Sequence, residues 1–360
     1  MRTGIAHLPL HGGKAPAWLF QRMVRLARGI TLFMLEEYDR DTVLERLSDP
    51  FWFQALGCVL GFDWHSSGLT TTTCGALKEG MKGLEEDTGL FFAGDKGATS
   101  RKTPSEIMEK GERSLLRCEP GNLVYASRMS AKVDSNALQD GFQIYHHFFV
   151  FTAEGAWAVV QQGMNETTGY ARRYHWLSRD LSDFVCEPHT AICSETRGLA
   201  LNLTAGDIGE TRQTVAELSA ERPDTLRREL EHLQTLDLPR PHQLYLSDLK
   251  PSSVERVLLK TYERQPEDFV TLLGMQGVGA KTLRALALIA DLVHGTPLSW
   301  EDPAKFSFAH GGKDGHPYPV DRDAYEDSIQ ILERALACMK LEGAERRSAD
   351  ARLRSFLAGP

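Results

Sequence analysis

The chain opens on a helical rhythm. Within PAWLFQRMVRLARGI (16–30), Leu19, Phe20, Met23, Val24 and Ala27 recur every three to four residues, which predicts an amphipathic helix starting near Pro16. The rhythm changes at FQIYHHFFVFT (142–152), a run rich in β-branched and aromatic residues. Glu154-Gly155 is a turn signal and AWAVVQQ (156–162) a second run, so the two predict a β-hairpin with a buried face. Beyond about residue 205 aromatics thin out and helical spacing takes over. SSVERVLLKTY carries Ser252 and Glu255 at capping-box spacing, with Val254, Val257, Leu258 and Tyr262 on one apolar stripe. A second helix is expected from Pro266 to Gly274 and a third from Ala280 to His294, stopped by Gly295 and Pro297. One or two more follow from Asp323. The pattern predicts an α+β chain, with a mixed α/β domain carrying a β-hairpin over 1–205 and an all-helical domain over 206–360.

Composition leaves that picture standing. Hydrophobic residues make up 42% of the 360 and charged residues 25%, enough for ordinary cores. The net charge of −8 gives no whole-chain footprint for nucleic acid, so any such contact has to be local. Six cysteines without a CxxC pair fit a reducing compartment. The N-terminus has no apolar signal core and no run reaches membrane-spanning length, so a cytoplasmic protein is expected. One local excess stands out. Arg22, Arg25 and Arg28 project to one side of the first helix, and no acid precedes Glu36. Such a face is either solvated or turned to phosphates.

The sharpest chemical signal is GMQGVGAKT (274–282). Gly274 and Gly279 have P-loop separation, but Ala280 stands where the lysine is required and the preceding segment reads as helix. The dinucleotide fingerprint fails because Thr282 stands where its third glycine belongs. A helix, a tight G-V-G turn and a second helix remain. LLGMQGVGAKTLRAL resembles the helix-hairpin-helix motif of DNA-repair proteins, which holds DNA by its phosphates without reading bases. The resemblance implies contacts from Gly277, Gly279, Lys281, Thr282 and Arg284. A plain helical hairpin with a glycine turn is the alternative.

Other stretches offer weaker chemistry. LHGGKAP sets His11, two glycines and Lys14 before a helix, which suits a bound phosphate as well as an ordinary glycine turn. In FDWHSSG, Asp63 and His65 would share a strand face, able to hold a metal or to act as base and orienter, unless the segment is a hydrogen-bonded turn. The hairpin adds Asp140 and His146, with His146 and His147 on opposite faces. It lacks the acid and lysine of PD-(D/E)xK nucleases, since Gln161-Gln162-Gly163 stands there. In ARRYHW, Arg172 and Arg173 precede Tyr174, His175 and Trp176, a mixture that suits a single-stranded backbone with stacked bases, or arginines in solvent beside buried rings. CEPHTAIC supplies only Cys186, His189 and Cys193 where a structural zinc takes four ligands.

Taken together, RTGIAHLPLHGGKAPAWLF, DPFWFQALGCVLGFDWHSSGLTTTTCGALK, IYHHFFVF, WAVVQQGMN, ARRYHWL and FAHGGKDGHPYPVDR resemble the DUF763 family of bacterial and archaeal proteins over nearly the whole chain. That resemblance implies an N-terminal domain of its own type, a helix-hairpin-helix region after it, and DNA processing with nuclease activity. It assigns no catalytic residue. GVGAKT also resembles the hairpin of endonuclease-III-like DNA glycosylases, which implies a Schiff-base role for Lys281 and a catalytic role for Asp321 in PYPVDR. A long insertion between the two segments and the missing four-cysteine cluster depart from that family. The leading expectation is a metal-dependent nuclease. Asp63, His65, Asp140 and His146 would be catalytic, with Mg²⁺ or Mn²⁺ on Asp63, His65 and Asp140. His11, Lys14, Arg172, Arg173 and the glycine turn would hold single-stranded or structured DNA. A glycosylase/lyase and a non-catalytic DNA adaptor are the alternatives.

Overall fold

An antiparallel sheet with helices on both faces organises the fold. The computed structural model describes residues 15–62, 67–113, 116–194, 197–304, 322–339 and 343–358. Helices α1 (Ala17–Glu37), α2 (Arg40–Ser48), α3 (Pro50–Leu60), α4 (Gly68–Met81) and the one-turn α5 (Glu85–Thr88) lead into strand β1 (Leu90–Lys96). Helices α6 (Thr103–Arg113) and α7 (Pro120–Lys132) follow, and α7 runs on into a π-helical turn over Val133–Ala137. Then come β2 (Leu138–Gln139), β3 (Gln143–Thr152), β4 (Trp157–Asn165), β5 (Tyr170–Leu177), β6 (Ala191–Cys193) and β7 (Leu201–Asn202). Helices α8 (Gly209–Ser219), α9 (Pro223–Leu233), α10 (Arg240–Leu246), α11 (Pro251–Arg264), α12 (Phe269–Gly274), α13 (Ala280–Leu292), α14 (Arg322–Cys338) and α15 (Gly343–Ala358) complete the order. The main sheet runs β1-β3-β4-β5-β6, every pair antiparallel, while β2 and β7 form a separate short ladder.

Strand alternation sorts the sheet's side chains between two cores. On one face Phe92, Phe148, Val150, Val160 and Leu177 pack with Met23 and Ile30 of α1, Trp52 and Leu56 of α3, and Leu332, Leu336 and Leu353 of α14 and α15. On the other, Phe91, Phe149, Phe151, Trp157, Val159 and Trp176 pack with Leu123 of α7, Leu230 of α9, Leu258 of α11 and Leu283 and Leu286 of α13. This explains the near-continuous apolar text of β3 and β4, since a strand covered on both faces has no solvent side. The hairpin lies where the alternation placed it. Gly155 at φ +96° makes the turn, and Thr152 donates its N–H to the Ala156 carbonyl at 2.9 Å.

Three expectations need correction. A boundary at residue 205 does not divide two cores, because the second core joins sheet residues to Val215, Leu226 and the helices beyond. The last two described helices return to the first face, where α14 packs on α1 and α15 on α3. Helix α11 begins at Pro251 behind Lys250, so Ser252 lies inside it and forms no cap. Helix α12 begins at Phe269, capped by the Asp268 carboxylate on the Thr271 N–H at 2.7 Å.

Two cores sharing one sheet should melt as one unit. Leu56→Ala on one face and Leu286→Ala on the other are each expected to cost about 2–5 kcal/mol and to leave a single urea transition. Two separable transitions would show that the sheet does not couple its faces.

Candidate functional site

The glycine turn between α12 and α13 is built from behind. Val278 is buried in the second core, while Gly277 at φ +98° lies exposed, in a conformation that disfavours a side chain. Lys132 donates through Nζ to the carbonyls of Leu273 and Met275, 2.6 Å each. Asn136 Oδ1 accepts the Ala280 N–H at 3.2 Å, occupying one amide at the start of α13. Gln139 donates to the Ala280 carbonyl at 2.9 Å and accepts from Arg284 Nε at 2.7 Å. Arg284 also pairs with Asp248, and Thr282 is buried. The turn therefore presents outward Gly277, the half-buried Gly279 and Lys281, whose Nζ donates to the Asp248 carbonyl at 3.3 Å and lies 3.9 Å from its carboxylate. Of the five contacts expected here, Thr282 and Arg284 face inward, because packing and the Gln139–Asp248 bridge claim them.

The residues that brace the turn flank a buried carboxylate. Asp134 lies in the π turn and has no exposed side-chain surface. Its Oδ2 accepts from Gln161 Nε2 at 2.5 Å and Trp176 Nε1 at 3.1 Å, and its Oδ1 meets His189 Nε2 at 2.5 Å. Gln161 Oε1 in turn lies 2.8 Å from His147 Nδ1, and His147 Nε2 lies 2.8 Å from Ser127 Oγ. Burial pushes the Asp134 carboxyl above its ordinary range, against the pull of His189 and the Trp176 indole. At the far end His189 lines a cleft of about 550 Å³ together with Asp49, Arg179, Glu187 and Thr190. A π turn adds a residue to the helical repeat, which lets Asp134 point at the sheet while Asn136 points at the glycine turn. No periodicity in KVDSNALQD announced this, and His189 was visible only as one member of CEPHTAIC. That segment makes no zinc set. His189 is bonded to Asp134, whereas Cys193 pairs in register with Arg173, with burial pushing its thiol up to about 12.

Of the four expected catalytic residues, the two that are described, Asp140 and His146, do not share a face of the sheet. Asp140 is buried, and its Oδ2 takes Arg172 NH1 at 2.8 Å and the Tyr174 hydroxyl at 2.7 Å. Its other oxygen accepts the Phe142 N–H at 3.1 Å. Arg172 is completed by Asp302 and lies over the Phe142 ring. An aspartate so occupied does not fit as a metal ligand. Among the described residues no group of three or more His, Cys, Asp or Glu side chains is arranged to hold a metal ion. Arg173 is buried on the opposite face, donating to Gln54 at 3.1 Å and lying 4.8 Å from the Phe53 ring centre. Both arginines were expected at a nucleic-acid surface, and both are interior, because each strand face is covered. His146 shares the row of Gln162 and Arg173, away from the Arg172 side.

His11, Lys14, Asp63, His65 and Asp321 lie outside the described residues. The described flanks of two of those segments meet. A methyl group added at Gly61 would stand 3.3 Å from Leu19 Cδ1, and the Ser67 carbonyl accepts from Gln162 Nε2 at 2.9 Å, beside His146.

Residues 4–320 match the profile of a family described as a protein of unknown function, DUF763. The chain belongs to the DUF763 family. No curated protein and no solved structure matches it. The DUF763 match spans the sheet, helices α1 to α13 and the glycine turn, and it ends before α14 and α15.

Buried histidines give this DUF763 fold an acid-sensitive interior. Burial lowers His146 to about 3 and His147 to about 4, and drives His175 well below its ordinary value. Asp95 lies 3.8 Å from His146 Nδ1, but burial raises its own carboxyl, so the pair is not a compensating ion pair. A base with a depressed folded pKa stabilises above its unfolded value of about 6.5 and loses that stability as pH falls toward the folded value. Stability should therefore fall from pH 6.5 to pH 4 by up to about 1.4 kcal/mol per pH unit for each of these groups. Urea midpoints across that range check this. His146→Phe should flatten the slope by one proton's share, and an unchanged slope would mean that His146 protonates in the native state.

Proposed function

We propose that the chain is a DNA-processing protein that holds DNA by its phosphates at the Gly277–Val278–Gly279 turn. The observation that carries this reading is the split role of the turn. Val278, 4% exposed, anchors it in the core, while Gly277 at φ +98° offers backbone to solvent with no side chain in the way. Backbone amides near a helix N-terminus attract phosphate, and Lys281 adds a cation beside them. Contact of this kind is independent of sequence and weakens with salt.

Phosphodiester cleavage with Mg²⁺ or Mn²⁺ belongs to the same reading, and Asp140 drops out of its ligand set. Asp63 and His65 carry it, on a segment whose flank at Ser67 adjoins Gln162. For Lys281 the surroundings favour a cation beside the backbone over a Schiff-base nucleophile. A nucleophilic lysine is activated by desolvation or by a neighbouring cation. The Lys281 side chain is 55% exposed and faces Asp248.

Binding of the full chain to a labelled duplex at about 50 mM and 200 mM salt tests the contact. Lys281→Glu should weaken binding about tenfold and lower the slope of log K against log salt by about one. A folded wild-type chain that binds no DNA at low salt would sink the proposal. With Mg²⁺ or Mn²⁺ present, nicking is expected that EDTA stops, and Asp63→Asn should abolish it while binding persists. Nicking that survives Asp63→Asn would remove Asp63 from the chemistry.

A further inference from the structure

We infer that the N-terminal end of α1 is a stacking platform for unpaired bases of single-stranded DNA, with Trp18 as the ring and Arg22, Arg25 and Arg28 as the backbone cations. Trp18 is 60% exposed. Trp52, Trp157 and Trp176 are buried, and Trp300 packs against the second core. A large aromatic ring left in water is costly, and tryptophan is normally drawn inside. Arg22 lies over the Trp18 ring, 5.4 Å from its centre, and holds it by a cation–π contact.

The charge around the ring fits a polyanion. Trp18, Arg22, Arg25 and Arg28 stand at helical offsets of four, seven and ten, which puts them on one exposed stripe about 15 Å long. Helix α1 has no acid before Glu36. Glu345 of α15 pairs with Arg25 at 3.0 Å, and Arg352 of the same helix feels the attraction of Glu345 and, more weakly, the repulsion of Arg22. Arg352 is held there by the Val59 carbonyl, at 2.7 Å from NH2. Positive charge is thus kept in excess beside an exposed ring, the pairing that single-strand binders use to track a backbone while bases stack. A duplex offers no free base face to such a ring.

This inference rests on the proposed function only in taking DNA as the ligand. Trp18 and the glycine turn belong to helical layers on opposite faces of the sheet. One molecule would therefore engage a paired and an unpaired segment, the situation at a junction between duplex and single strand.

Fluorescence anisotropy with the full chain tests it, using oligo(dT) and a duplex of equal length. Trp18→Ala should weaken oligo(dT) binding about tenfold and change duplex binding less than about twofold, and Trp18→Phe should largely restore the former. Tryptophan emission quenched by oligo(dT) in the wild type should lose that component in Trp18→Phe. Equal losses on both ligands, or no loss on oligo(dT), would overturn the platform. Duplex binding without any oligo(dT) binding would overturn this inference alone, whereas binding of neither would overturn the proposed function as well.

Discussion

A carboxylate buried away from water constrains everything around it. Asp134 must find a donor for each oxygen inside the protein, since an unmatched buried charge costs several kcal/mol. Its donors come from β4, from β5 and from the segment before β6. Meeting them fixes the end of α7 against the sheet. Two residues on, Asn136 meets the first helical N–H of α13, and Gln139 holds the same turn from beside it. The position of the glycine turn relative to the sheet is thus inherited from a polar network in the interior. The turn itself is short of stabilising contacts on its outer side, which is what a backbone surface for phosphate requires.

Local pattern made the hairpin readable. The two runs flanking Glu154-Gly155 are long and rich in β-formers, and they pair as β3 and β4. The helix after Pro16 and the one from Ala280 to the Gly295 stop were equally legible, because each carries its own punctuation. What lay beyond reach was non-local. Nothing in ARRYHW says that both its faces are covered, so Arg172 and Arg173 read as surface charge. Their partners Asp302 and Gln54 lie more than a hundred residues away in the chain. The boundary at 205 followed a real change of composition. Composition records which elements form and is silent on where they dock, so the shared sheet stayed hidden. The glycine turn was found by spacing, yet spacing could not tell that Thr282 and Arg284 serve the interior while Lys281 faces out.

The two candidate DNA surfaces differ in kind. The glycine turn offers backbone and one lysine, suited to a feature every strand shares. The Trp18 stripe offers a ring, suited to bases that have left their stack. A chain with net charge −8 needs its positive groups concentrated in this way, since a diffuse excess is lost in the total.

The return of α14 and α15 to the first layer bears on the order in which the chain acquires its structure. Leu332, Leu336 and Leu353 complete a core that Met23 begins. At ribosomal speeds of about 5–20 residues per second, α14 emerges roughly half a minute after α1, although α4, which packs on α1 more extensively, follows it within seconds. During that interval the part of α1 and α3 that α14 and α15 cover is exposed in the nascent chain. The early helices therefore wait on the tail, and holdase chaperones that bind such segments would find their substrate in this window.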